Sequence, residues 1–268
     1  MTPLDAKHVS VALGARQILT DVGLRAEAGG FVGLIGPNGS GKTTLLRILA
    51  GLLRPDAGSV SMNDRGLADM PGAERARLMA YLPQGTEVHW PLIVERLVAL
   101  GRIPTLDTWR GLRESDLEVV ARALGSVEAL HLKDRVVSTL STGERARVLF
   151  ARALASDPRI LLADEPVASL DLGHQLLVLD EVQNRCAKGM TAIVVFHDLS
   201  LAARYCSHVV LLNAGRVFSE GAATEVLTPE NLRETYGVDA TLSTDGGTTQ
   251  IIAHGRLAPE NHREGPRP

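Results

Sequence analysis

A glycine-rich stretch followed by lysine and threonine contains the residues of this sequence best suited to bind a triphosphate. Residues 36–43 fit the pattern G-x-x-x-x-G-K-[ST] without a mismatch. Glycine lets the backbone approach an anion closely, so that successive N–H groups converge on phosphate oxygens at the positive end of the next helix. The lysine then reaches the β- and γ-phosphates, and the threonine hydroxyl is a ligand for Mg²⁺. The predicted phosphate-binding residues are Gly36, Pro37, Asn38, Gly39, Ser40, Gly41, Lys42, Thr43 and Thr44, with Thr43 as the Mg²⁺ ligand.

A pair of adjacent acids is the second candidate for phosphate chemistry. Asp164 and Glu165 follow the apolar stretch from Ile160 to Ala163, which predicts a buried strand. Ligands of open α/β sheets bind beyond the carboxyl ends of the strands. We therefore expect Asp164 to hold Mg²⁺, directly or through water, and Glu165 to polarise the water that attacks the γ-phosphate. Such a pair alone could simply begin a turn, but in a chain with a phosphate-binding loop it indicates hydrolysis of a nucleoside triphosphate.

The stretch from Leu140 to Arg145 allows two interpretations. Ser141 and Glu144 have the spacing of a capping box, which predicts an ordinary helix start. A helix N-terminus with a serine hydroxyl and an accessible backbone is also an anion-binding site. Because capping and anion binding use the same backbone donors, the residues alone leave both interpretations open.

Strands and helices must bring these residues together. Phe31 to Ile35 predicts a buried strand before the glycine-rich loop, and Leu45 to Ala50 predicts the helix after it. From residue 143 to residue 213, apolar strands alternate with helical segments, which indicates a mostly parallel sheet with flanking helices. Two alternating stretches, residues 8–13 and 17–26, predict an antiparallel β part at the N-terminus. The expected fold class is therefore α/β.

Helix-forming segments dominate the part of the chain from about residue 85 to residue 140. One helix is predicted to end at Gly101. A second helix is predicted over residues 116–124, with Ser115 and Glu118 as its capping box. We therefore expect a mostly helical lobe within the α/β domain.

The overall composition limits the class of protein. The chain has 268 residues and a net charge of −3, which fits one main domain and argues against a partner that is a nucleic acid. Its longest apolar runs are far shorter than the roughly 20 residues that cross a bilayer. Because the N-terminus also lacks signal-peptide features, we expect a cytoplasmic location. The expected domain covers residues 1–258, and residues 259–268 are predicted to form a disordered tail.

The order of the motifs resembles that of the ATP-binding-cassette (ABC) transporter ATPases. The resemblance extends from about residue 4 to residue 240. The stretches that carry it are the P-loop (Gly36 to Thr43), the Q-loop residue Gln84, the signature (Leu140 to Glu144, where the family has Leu-Ser-Gly-Gly-Gln), the acidic strand (Ile160 to Glu165), the D-loop (Ala168 to Asp171) and the switch residue His197. It implies a P-loop NTPase fold of ABC type, with ATP and Mg²⁺ as ligands.

The resemblance also implies a head-to-tail dimer of two copies of this chain. In such a dimer, the signature of one copy closes over the ATP that the P-loop of the other copy holds. Ser141, Thr142, Gly143 and Glu144 are then expected to bind ATP in trans, and Asp171 to communicate between the copies.

Within one copy, the resemblance implies three catalytic residues. Glu165 prepares the attacking water, His197 contacts the γ-phosphate, and Gln84 links the nucleotide to the helical lobe. Gln84 is also expected to join Thr43 and Asp164 as a ligand of the Mg²⁺ ion of MgATP.

Three positions depart from the family pattern. Thr142 replaces the first glycine of the signature, and Glu144 replaces its glutamine. Threonine restricts φ and limits close approach, so we expect looser closure over ATP. Leu13 stands where the family often has an aromatic residue that stacks on adenine, so we also expect relaxed selectivity for the base.

Further stretches resemble the ATPases of importers for iron-siderophore, haem and cobalamin chelates. They are Met79 to Gln84, Val98 to Pro104, Leu161 to Asp171, His197 to Arg204 and Val226 to Pro229. This resemblance implies a separate membrane permease, a periplasmic or surface substrate-binding protein, and a location of this chain at the cytoplasmic face of the membrane. Two alternatives stay open, namely a soluble non-transport ABC ATPase that acts on ribosomes or DNA, and an exporter ATPase.

Overall fold

The computed structural model describes residues 3–85, 91–106, 111–245 and 248–257. In these residues the strands are β1 (Leu4–Leu13), β2 (Arg16–Ala26), β3 (Phe31–Ile35), β4 (Ala57–Met62), β5 (Arg65–Gly66), β6 (Met79–Leu82), β7 (Ile160–Asp164), β8 (Thr191–Val195), β9 (His208–Asn213), β10 (Arg216–Gly221), β11 (Val238–Asp245) and β12 (Thr248–Arg256). The helices are α1 (Lys42–Leu49), α2 (Gly72–Leu78), α3 (Val94–Ala99), α4 (Glu114–Gly125), α5 (Thr142–Ala155), α6 (Leu172–Ala187), α7 (Leu199–Tyr205), α8 (Ala223–Val226) and α9 (Pro229–Tyr236). The tail predicted over residues 259–268 lies outside the described residues.

A six-stranded sheet places the predicted phosphate-binding residues at one end. Its strand order is β10-β9-β3-β8-β7-β6. Neighbouring strands run parallel, except that β10 pairs antiparallel with β9. Strands β3, β7 and β8 are buried along their whole length because apolar clusters cover both faces of the sheet. The loops that follow β3, β6, β7 and β8 therefore emerge at the same end.

The N-terminal part of the chain forms a second, antiparallel sheet, as its alternating residues predict. The strand order is β2-β1-β4-β5. Leu4, Val9 and Val11 of β1 are buried and share an apolar cluster with residues of α1 and β3. This packing also brings β2 against the loop before α1, where a Cβ atom on Gly41 would lie 2.5 Å from Leu19 Cδ2.

Helices α3 and α4 form the predicted helical lobe and pack against α5. The start of α4 differs from the sequence-based prediction. The helix begins one residue before Ser115, so the capping box expected from Ser115 and Glu118 is wrong. Asp116 satisfies the helix start instead, because its carboxylate accepts hydrogen bonds from the Arg113 backbone N–H and from Arg102 Nε, each at 3.0 Å.

The end of α3 also differs from the prediction. Gly101 does not end the helical segment, because the chain continues in 3₁₀ turns as far as Thr105. The glycine instead permits close packing on α5, since a Cβ atom there would lie 2.2 Å from the carbonyl oxygen of Arg152.

The hairpin of β11 and β12 is absent from the sequence-based prediction. Its residues Ala240, Leu242 and Ile251 join the apolar cluster that includes residues of α7 and α9. The Ile251 N–H also donates to Ser200 Oγ of α7 at 3.2 Å. The hairpin therefore supports the helix that begins two residues after His197.

Candidate nucleotide-binding site

The loop between β3 and α1 adopts a conformation that requires glycine at two positions. Gly36 has a φ of 143°, and a Cβ atom there would lie 2.1 Å from the carbonyl oxygen of Leu212. Gly41 has a φ of 104° and is the N-cap of α1, where it offers no side chain to cap the helix. The first N–H groups of a helix have no intrahelical partner, so the start of α1 can donate them to an anion.

The side chain of Lys42 lies along this loop and is largely buried. Its Nζ donates to the carbonyl oxygens of Gly36 at 2.7 Å and Pro37 at 3.0 Å. Burial lowers the pKa of the Lys42 ammonium, and the carboxylates of Glu165 and Asp164 oppose this shift. A bound phosphate would add further negative charge and so favour the ammonium form.

Asp164 ends β7 as a buried acid whose carboxylate has no hydrogen-bond partner within the described part of the chain. It is 1% exposed, and neither carboxylate oxygen has a hydrogen-bond partner among the described residues. The buried hydroxyl of Ser40 in the glycine-rich loop is likewise unpartnered within the described part of the chain. An unpaired buried carboxylate is costly, and Mg²⁺ prefers oxygen ligands. The residues present therefore fit the magnesium ion of a bound MgATP.

Three loops at the end of the sheet converge on Glu165, the residue after β7. Gln84 Nε2 donates to one oxygen of the Glu165 carboxylate, and His197 Nε2 contacts the other oxygen. Gln84 follows β6 and His197 follows β8, so the two strands beside β7 supply both partners. Glu165 has a φ of 52°, and such strained backbone in a non-glycine residue clusters at functional sites. The three residues predicted as catalytic thus lie together.

The glycine-rich loop and this cluster line one open pocket. Its lining includes Lys42, Thr43, Gln84, Glu165 and His197. Binding groups for a triphosphate and an acid that can accept a proton therefore face the same space. Hydrolysis of a bound nucleotide is the chemistry that this combination supports.

Two further lining residues, Arg16 and Ile18 of β2, were missed by the sequence analysis. No local pattern marks them, because their place depends on the packing of the N-terminal sheet against the loop. Leu13 ends β1 with 47% of its surface exposed and does not line this pocket. The side chains of Arg16 and Ile18 are therefore available to a nucleotide bound in the pocket.

The signature forms the start of α5. Ser141 Oγ accepts from the Glu144 N–H at 3.2 Å, and Glu144 Oε2 accepts from the Ser141 N–H at 2.8 Å, which confirms the predicted capping box. Thr142, the first residue of α5, does not have a positive φ, so threonine is accommodated here without backbone strain. None of the residues from Ser141 to Glu144 lines the P-loop pocket of its own chain.

Residues 19–168 match the family model described as ABC transporter. The chain belongs to the ABC transporter family. It is 41% identical over 241 residues to the hemin import ATP-binding protein HmuV of Pseudomonas aeruginosa, a match that covers 88% of this chain and 93% of that protein. A solved metal-chelate type ABC transporter, in an inward-facing conformation, gives a TM-score of 0.81 at 25% identity and covers 94% of this chain and 98% of its own. A bacterial ABC transporter cassette solved as a dimer gives a TM-score of 0.73 at 27% identity, and the match covers 82% of this chain and 98% of that cassette.

Membership of the ABC transporter family confirms the resemblance that the motifs indicate. The ABC ATPase fold is confirmed, with its mostly parallel sheet, N-terminal antiparallel sheet and helical lobe. The similarity to ATP-binding subunits of chelate importers is confirmed as well. Within the described ranges, no helix combines the length and the apolar character that crossing a bilayer requires.

In this ABC transporter protein, Asp171 caps helix α6. Its Oδ1 accepts from the His174 N–H at 2.9 Å, and its Oδ2 lies 2.8 Å from His174 Nδ1. The backbone bond first, and then the side-chain bond, lower the pKa of the Asp171 carboxyl. Because the side chain is 70% exposed, its charge reaches the surface, and its role in communication between copies stays a prediction.

Proposed function

We propose that this chain is the ATP-hydrolysing subunit of an importer for hemin or a related metal chelate. The observation that carries the proposal is the convergence of Gln84, Glu165 and His197 in the pocket that Lys42 also lines. The likeness to hemin import ATP-binding proteins and to a solved metal-chelate transporter supports this class of cargo.

ATP binding rests on the loop between β3 and α1. Lys42 gives up its bonds to the Gly36 and Pro37 carbonyls and pairs with the β- and γ-phosphates, while the N–H groups at the start of α1 bind the remaining oxygens. Asp164, Thr43 and Gln84 would supply the protein oxygens for Mg²⁺. The ion, when bound, neutralises charge on the β- and γ-phosphates.

Hydrolysis rests on Glu165. Its carboxylate accepts a proton from a water molecule, whose oxygen forms a bond to the γ-phosphorus while the bond to the leaving ADP oxygen breaks. His197 and Gln84 hold the two carboxylate oxygens in the pocket and so orient this base. In this proposal His197 also binds the γ-phosphate and positions the attacking water.

The working unit in this proposal is a head-to-tail dimer attached to membrane permease subunits. The position of Ser141 to Glu144 outside the P-loop pocket of their own chain supports their use by a second copy. The similarity to a cassette solved as a dimer supports the same arrangement. The chain would then lie at the cytoplasmic face of the membrane, held there by the permease, with a substrate-binding protein on the other side.

A Glu165→Gln variant tests the catalytic part of the proposal. We expect it to bind ATP like the unaltered protein, to lose at least about 100-fold in kcat, and to accumulate as an ATP-bound dimer. Phosphate release measures kcat, and light scattering measures the ATP-bound dimer. Glu118→Gln, on an exposed face of α4, is the matched control and should leave both unchanged. Turnover near that of the unaltered protein would remove Glu165 as the base.

The cargo is tested in the assembled transporter. We expect hemin to stimulate ATP hydrolysis when the chain is reconstituted in vesicles with its permease and substrate-binding protein. Cobalamin and an iron-siderophore chelate serve as comparisons under the same conditions. Stimulation by one of these chelates but not by hemin would replace hemin as the cargo, and the catalytic assignment would still stand.

A further inference from the structure

The signature of this chain carries a negative charge where it is proposed to meet the triphosphate of a second copy. Glu144 is the third residue of α5. Hydrogen bonding to the Ser141 backbone N–H, first among several causes, lowers the pKa of the Glu144 carboxyl, so the group is ionised at neutral pH. An acid stabilises a helix start, but it also repels a phosphate that approaches the same helix start.

Both oxygens of this carboxylate are occupied. Oε2 accepts from the Ser141 N–H at 2.8 Å, and Arg135 Nη1 donates to Oε1 at 3.1 Å. Neither bond uses the N–H groups of Thr142 or Gly143. Ser141 Oγ accepts from the Glu144 N–H, and a hydrogen bond from the Ser141 side chain also helps to lower the pKa of the Glu144 carboxyl. Donors for an anion thus remain available although an acid stands among them.

Arg135 is itself held in place by the helical lobe. Its Nη2 donates to the Thr139 carbonyl oxygen at 2.8 Å. Its backbone N–H donates to Leu132 O, and its carbonyl oxygen accepts from the Val94 N–H at the start of α3, each at 2.9 Å. The guanidinium therefore reaches Glu144 from a segment that is anchored to α3 and ends at the signature.

We propose that Arg135 is a positioning residue for the signature. It neutralises Glu144 and holds the carboxylate back against Ser141, so that the start of α5 accepts the triphosphate bound by the second copy. This inference rests on the proposed head-to-tail dimer. It also explains how a glutamate can stand where related proteins have glutamine.

The test uses ATP-driven dimer formation in the Glu165→Gln background, measured by light scattering over a range of ATP concentrations. We expect Arg135→Gln to raise the ATP concentration at half-maximal dimer about tenfold, because Glu144 then loses its hydrogen-bonded arginine and keeps only the weaker attraction of Arg147. When Arg135→Gln is combined with Glu144→Gln, the ATP concentration at half-maximal dimer should return to within about twofold of that of the Glu165→Gln parent, since the repelling charge is then gone. Arg122→Gln is the matched control, because Arg122 forms an exposed ion pair with Glu118 in the same lobe.

Two further readouts separate repulsion from a structural role. The defect of Arg135→Gln should shrink as salt rises from 0.05 M to about 0.5 M, because salt screens exposed charges. Arg135→Lys keeps the positive charge, so its ATP concentration at half-maximal dimer should lie between that of the Glu165→Gln parent and that of Arg135→Gln. The inference would be overturned if Arg135→Gln did not change the ATP concentration at half-maximal dimer. It would also be overturned if the double variant needed as much ATP as Arg135→Gln. A parent that fails to dimerise with ATP would instead contradict the proposed dimer and remove the inference with it.

Discussion

At the scale of single residues, the site holds a buried carboxylate to which the described residues donate no hydrogen bond. Asp164 is buried at the end of β7, and its carboxylate oxygens lack hydrogen-bond partners among the described residues. A buried polar group without hydrogen bonds destabilises the folded state, and such groups persist where function requires them. The nucleotide-free protein should therefore be less stable because of Asp164, the residue proposed to hold the metal of MgATP.

An Asp164→Asn variant should separate these two effects. We expect the nucleotide-free variant to unfold at a higher temperature, because the buried carboxylate without hydrogen bonds is gone. The unfolding temperature should rise by about 2–4 °C for each kcal/mol gained in the free energy of unfolding. ATP hydrolysis should fall to background, since a neutral amide is a poor Mg²⁺ ligand. Differential scanning calorimetry without nucleotide and a phosphate-release assay measure the two properties.

Asp157→Asn is the control for this comparison, because its carboxylate lies at the surface. It should change neither the unfolding temperature nor the hydrolysis rate appreciably. A nucleotide-free Asp164→Asn variant that is less stable than Asp157→Asn would show that Asp164 has a stabilising role in the fold, and would contradict the argument.

How far single residues could be predicted from the sequence depends on where their partners lie. Lys42, Asp164 and Glu165 could be predicted because their neighbours in sequence determine both the local structure and the chemistry. Arg16 and Ile18 could not, because they reach the pocket through the packing of one sheet on another. Gln84 and His197 were identified through the family resemblance, and their meeting at Glu165 follows from the order of the strands.

At the scale of elements, the strands that carry the site were predicted closely and the helix ends less well. Buried parallel strands have a clear apolar pattern. A helix cap, in contrast, depends on which of several nearby polar side chains bonds to the free backbone groups at the helix start. At α4 the side chain that satisfies the helix start is that of Asp116, whose carboxylate Arg102 also binds. The hairpin of β11 and β12 had a signal that was overlooked, since Asp245-Gly246-Gly247 stands between two alternating stretches.

The start of α5 gives a prediction at this scale. Thr142 has regular helical backbone there, so its side chain, and not its φ, is what differs from glycine. We expect Thr142→Gly to lower the ATP concentration at half-maximal dimer about threefold in the Glu165→Gln background, because the second copy can approach more closely. Light scattering against ATP concentration measures the change.

Glu114→Gly is the matched control for this variant, because Glu114 is the exposed first residue of α4. Glycine at either position lowers helix stability by up to about 1 kcal/mol, so both variants should unfold at a slightly lower temperature. Only Thr142→Gly should alter the ATP requirement. An equal effect of the two variants on dimer formation would mean that the threonine side chain does not limit closure.

At the scale of the whole molecule, Gln84 contacts the proposed catalytic acid and also faces helix α5, on which the helical lobe packs. Gln84 lies at the end of the central sheet, its amide holds Glu165, and α3 is the next helix in the order of the chain. Gln84 also lines a groove with Thr142, Arg145 and Leu149 of α5. A change in the nucleotide site that moves Gln84 can therefore be passed to the lobe and to the surface where a permease would be attached.

The last prediction follows from this connection. In the assembled transporter, Gln84→Ala should reduce the ratio of cargo-stimulated to basal ATP hydrolysis to nearly one and abolish transport. ATP binding should be retained, because the P-loop contacts are intact. Gln183→Ala, on the exposed face of α6, is the control and should keep the ratio of the unaltered protein. Both variants are compared in the same vesicles by hydrolysis and by uptake of the chelate. A Gln84→Ala transporter with normal stimulation and normal uptake would mean that another path joins the nucleotide site to the permease.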